Sequence, residues 1–112
     1  MKTNGKWIAG TVTLRARDGD VSTECYLKGG LAVHRFLGHN GIVRLGAWGL
    51  THAASGYGFG QMGFGTAAKA KAAADRFLAL GIDWTQSYEA ISGPHMKRAA
   101  ELLVKIRSED NS

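Results

Sequence analysis

The chain has 112 residues, 45% of them apolar and 21% charged, with a net charge of +5 and one cysteine. This length suits a single domain over residues 1–112 with one core, and the balance of apolar and charged residues excludes wholesale disorder. A lone cysteine excludes an internal disulfide and a multi-cysteine zinc site, and no apolar run approaches the roughly 18 residues of a membrane span, so a reducing cytoplasm with no membrane contact is the expected setting.

Residues 1–5 and 108–112 read as frayed ends. Between them, KWIAGTVTLRAR (residues 6–17) alternates as a half-buried strand, with Ile8, Val12 and Leu14 on one side and Thr11, Thr13, Arg15 and Arg17 on the other. Asp18-Gly19-Asp20 makes a turn. A second strand, Val21 to Lys28, sets Val21, Thr23, Cys25 and Leu27 against Ser22, Glu24, Tyr26 and Lys28. Gly29-Gly30 suits a two-residue hairpin, since both positions tolerate the positive φ of primed turns. The third strand, Leu31 to Leu37, breaks the pattern. Arg35 shares a parity with Leu31 and Val33, and His34 with Ala32 and Phe36, so neither can be given a face without a bulge or an edge position.

Asn40-Gly41 is the strongest hairpin signal in the chain, and it leads into a strand from Ile42 to about His52. Alternation there sets Val43, Leu45 and Ala47 opposite Arg44, Trp48 and His52. Ser55-Gly56 turns the chain into Tyr57 to Phe64, a glycine-rich strand or ordered loop, of which the strand is the preferred reading. From Thr66, a predicted N-cap, AAKAKAAADRFLAL has helix period, with Ala67, Ala70, Ala74, Phe77 and Leu78 on one stripe and Gly81 to close it. A short helix over Thr85 to Ile91 and a last one from Pro94 to about Arg107 follow. The fold class is α+β: an antiparallel four- to five-stranded meander followed by two or three helices packed on one face or end.

No Asp or Glu occurs from Cys25 to Ala74, and residues 1–65 carry seven Lys and Arg against three Asp and Glu. So uneven a distribution favours an anionic partner. If Ile8, Val12, Leu14, Val21, Leu27, Val43 and Leu45 pack beneath the helices, the other parity presents Arg15, Arg17, Tyr26, Lys28, Arg44, Trp48 and His52. Cations interleaved with rings suit nucleic acid, the charges meeting phosphates and the rings stacking bases. Tyr57 adds contact area, and Lys69 and Lys71 flank a helix N-terminus that suits a phosphate or carboxylate.

Other chemistries find less support. Gly58-x-Gly60-x-x-Gly63 spells a dinucleotide fingerprint, with Asp83 twenty residues on, but it follows hairpin-linked strands and lacks the parallel strand that should carry the acid. His34, His39, His52 and His95 have no metal-ligand spacing. No cofactor, metal or catalytic residue is expected. A small hydrolase or nuclease using His52 and a neighbour such as Ser55 is a second alternative, although no orienting carboxylate lies near in sequence.

The segment AWGLTHAASGYGFGQMGFGTAAKAKAAADRFLALGIDW, the small size and the lone-domain layout resemble the single-domain accessory proteins of phages and other mobile elements, among them anti-CRISPR inhibitors of bacterial defence. The resemblance implies a non-catalytic inhibitor that binds a host protein or ribonucleoprotein, and it carries over no site residue. An acidic protein or ribonucleoprotein is thus the expected partner, with direct binding of free nucleic acid as the alternative, by a monomer or a homodimer.

Overall fold

A computed structural model describes residues 6–15, 19–37 and 43–110, with side chains except at 36–37, 43–46, 60–63 and 110. Expectations for Arg17, Asp18, His39, the Asn40-Gly41 hairpin and the terminal residues 1–5 and 111–112 lie outside the described residues. Five strands, β1 (Ile8–Leu14), β2 (Val21–Lys28), β3 (Leu31–Leu37), β4 (Val43–His52) and β5 (Tyr57–Phe64), form one antiparallel sheet in chain order. Three helices follow: α1 (Ala67–Leu78), α2 (Tyr88–Ile91) and α3 (Pro94–Asp110). The chain is therefore an α+β meander with its helices segregated to the C-terminal part.

Sequence alternation groups the β1 and β2 residues as expected, but the helices cover the opposite side. Leu31, Val33, Leu50 and Phe59 face α1 and the segments after it, forming a core with Ala70, Ala73, Ala74, Phe77, Ile82, Trp84, Ile91 and Ala99. Alternation reports which residues share a face, not which face receives a cover. The larger apolar side chains of β3 to β5 supply that surface, and the alanine stripe of α1 lets the helix lie close to it.

Val12, Leu14, Cys25 and Ala32 are also buried, in a second cluster with Leu27 and Ala53. Strand twist accounts for their cover, because the sheet coils until the end of β1 meets the β4–β5 turn. There the Arg15 N–H donates to the Gly56 carbonyl (3.3 Å), and a Cβ on Gly56 would stand 2.5 Å from the Thr13 oxygen.

Two interruptions bend the far side of the sheet. β3 and β4 pair Arg35 with Trp48 but then Phe36 with Arg44, and β4 and β5 pair Trp48 with Phe64 but Leu50 with Phe59. The first leaves the parity of β3 as it was: Arg35 stays in step with Leu31 and Val33, and the extra residues lie on β4. The strand alternation therefore does not run unbroken from Arg44 to Trp48. The glycines of the dinucleotide-like sequence lie within β5 and not in a loop ahead of a parallel crossover.

The helix ends follow local chemistry. Thr66 caps α1 by accepting the Lys69 N–H (3.1 Å). α2 is shorter than the predicted 85–91 helix because Asp83 holds Thr85 in a side-chain turn (N–H to Oδ1, 3.0 Å), leaving Ser87 as N-cap. α3 continues past Arg107 to Asp110, where fraying was expected, and Glu109 pairs with Arg76 of α1.

Candidate binding site

Where the helix-bearing face reaches β1, β2 and the end of β3, at the margin of α1, it holds a cluster of rings and cations. Its floor is low because the β1 positions opposite Tyr26 and Glu24 are Ala9 and Thr11. These residues, with Arg35 and Trp48, line an open cleft of about 780 Å³. Tyr26 and Trp48 stand on either side of β3 with ring centroids 6.4 Å apart and planes 28° from parallel.

Each ring has a cation against it. The Arg35 guanidinium lies 4.9 Å from the Trp48 centroid, and the Lys71 ammonium lies 4.0 Å from Tyr26 and 5.9 Å from Trp7. Lys28 sits 5.6 Å from Trp7 and also bonds the Asp75 carboxylate at 2.9 Å. Each such contact is worth about 0.5–1 kcal/mol where solvent reaches it. Trp7 and Trp48 rest their inner edges on the main core, so the rings are held in place before anything binds.

The acid-free span is not acid-free in space. Asp75 follows it immediately in sequence and neutralises Lys28, while Glu24 precedes it and lines the cleft. Among the described residues, the side chains of Glu24, Arg35 and Lys71 form no hydrogen bond or ion pair.

Of the residues picked from sequence, Tyr26, Lys28, Trp48 and Lys71 therefore come together. Lys69 is two positions from Lys71 on α1 and so leaves the helix on another side. Arg15 is at the closing corner, its Nε donating to the Ser55 carbonyl at 2.9 Å. Tyr57 makes its ring contacts with Phe59 and Tyr88. Arg17 and the Arg44 side chain lie outside the described residues.

His52 has the expected parity but is 0% exposed, which corrects its place on an open face. Its Nε2–H donates to the Gln86 carbonyl (2.9 Å), and its Nδ1 accepts from the Ser55 hydroxyl (2.7 Å). The ring is shut from solvent and fastens β4 to the segment before α2. Cys25 is buried, and burial pushes its thiol pKa up, away from a reactive thiolate.

Trp7 and Arg35 belong to the cluster but were not singled out. Trp7 shares the parity of Thr11 and Arg15, a signal present in the alternation. Arg35 keeps the parity of Leu31 and Val33 but is exposed, a difference in cover that alternation does not report. Among the described residues no group of three His, Cys, Asp or Glu could hold a metal ion, and no helix is long and apolar enough to cross a membrane. No family model, curated protein or solved structure matches the chain.

Proposed function

We propose that the protein is a non-catalytic binding module that engages an acidic partner, a host protein or ribonucleoprotein, through the Trp7, Tyr26 and Trp48 cluster. The observation that carries this reading is the pairing of preset rings with two cations, Arg35 and Lys71, that have no carboxylate partner among the described residues. Such cations are available to an incoming anion, and the rings beneath them supply apolar contact area at little conformational cost. The resemblance to mobile-element accessory proteins favours a host target in the cytoplasm.

Two probes test the reading by fluorescence anisotropy: a mixed-sequence single-stranded RNA and an oligoglutamate peptide of equal charge. At least one should bind at about 50 mM salt and weaken steeply as salt rises. Arg35→Glu combined with Lys71→Glu should lower that affinity at least about tenfold, since two attractions become repulsions. Binding of neither probe, or equal binding by the double variant, removes the proposal.

A further inference from the structure

We infer that the cleft takes a guanine base of single-stranded nucleic acid, an inference that rests on the binding-module reading above and narrows its partner. The observation that narrows it is Glu24. An exposed carboxylate without a protein partner among the described residues, set in the same cleft as Arg35, repels a uniform polyanion such as an acidic peptide. It suits a ligand that brings hydrogen-bond donors as well as negative charge. A phosphate-linked base with N–H groups on one edge meets both demands, and its flat ring also suits the near-parallel Tyr26 and Trp48.

The donor pattern selects the base. An ionised carboxylate only accepts hydrogen bonds, through two oxygens side by side. On its pairing edge guanine offers N1–H and the N2 amine side by side, so both oxygens of Glu24 can be used. Adenine and cytosine place an acceptor nitrogen beside their amine, and uracil flanks its single N–H with two carbonyls, so each of these turns a lone pair toward the carboxylate. That edge is occupied in a duplex, which is why the strand must be single. Arg35, its face on Trp48 and its N–H groups unengaged among the described residues, can meet the adjoining phosphate from two nitrogens. Lys71 supplies a second positive point beside Tyr26.

The test uses the full chain and labelled octamers of uridine in which one central base is guanine, inosine, adenine or uracil. An oligoglutamate peptide serves as control. Guanine should bind about five- to a hundredfold more tightly than uracil or adenine, with inosine, which lacks the N2 amine, in between. Glu24→Gln should erase the guanine preference while leaving uridine binding equal or stronger, and its circular dichroism should match the wild type because Glu24 is exposed. Arg35→Ala should weaken all octamers alike. Equal affinity for all four octamers overturns the guanine assignment and leaves the acidic-partner reading standing. Binding of the peptide alone overturns nucleic acid as the ligand, and binding of no probe overturns both readings.

Discussion

Two buried histidines show how far alternation carries and where it stops. His34 is nearly enclosed: its Nδ1–H donates to the Arg35 carbonyl (2.9 Å), and its Nε2 accepts from the Thr51 hydroxyl (2.7 Å). Burial lowers its pKa below the usual value, against a smaller upward effect of the carbonyl bond. The folded protein thus binds this proton less readily than the unfolded chain, so the stability that neutral His34 contributes is complete above the unfolded pKa of about 6.5 and is lost as pH falls from there through the depressed folded value. Urea midpoints measured between pH 7.5 and 5 should fall accordingly, and His34→Gln should flatten the trend. A wild-type midpoint that rises on acidification would contradict this. Removing the hydroxyl partner, as in Thr51→Val, leaves the ring nitrogen without a bond and should cost about 1–3 kcal/mol by chemical denaturation. Parity placed His52 with Trp48 correctly. What it could not supply was the cover, because that comes from the distant Gln86 segment.

Elements with their own local chemistry were the most legible. The α1 helix, its Thr66 cap and its alanine stripe followed from spacing alone, as did the first three strands and the Gly29-Gly30 turn. Both turn glycines have positive φ, and Gly30 is further constrained: a Cβ there would stand 2.5 Å from the Trp84 carbonyl carbon and oxygen. Gly30→Ala is therefore expected to destabilise the fold by about 2–4 kcal/mol, combining backbone strain with overpacking, as read by thermal or urea unfolding. A change under about 0.5 kcal/mol would mean that the backbone relaxes freely, as at an ordinary surface position. Trp84 itself was missed as a core residue because it sits in a short polar segment, Asp83 to Gln86, with no period to betray it. It is fully buried, its indole N–H donates to the Phe77 carbonyl (3.1 Å), and it packs against Phe59 and Phe77. Trp84→Phe keeps much of that volume but leaves the Phe77 carbonyl without its indole donor, and should cost about 1–3 kcal/mol. The bulge between β3 and β4 was not legible, since its extra residues lie on β4, where alternation was read straight through them and where its position depends on pairing across the sheet.

At the level of the whole molecule, the sheet order and the segregation of helices could be read from the chain, but the choice of covered face could not. Both faces of the sheet have apolar residues, and tertiary packing decided between a helical lid and self-coverage by twist. The same distinction governs charge. A long run without acids predicted a positive field, yet Glu24 and Asp75 return from its two ends to the site. Asp75→Asn should release Lys28 and raise affinity for a single-stranded RNA about two- to tenfold at low salt, with stability changed by less than about 1 kcal/mol. A loss of affinity in that variant would show that the ion pair is needed to hold Lys28 against Trp7. The placement of the three indoles has an optical consequence. Trp84 is sealed inside, whereas Trp48 lines the cleft and Trp7, only partly buried, shares Lys71 with the Tyr26 ring. Ultraviolet emission should therefore separate into a blue component that reports unfolding and a redder one quenched when a base or other acceptor arrives, so occupancy and integrity can be followed in one unlabelled sample.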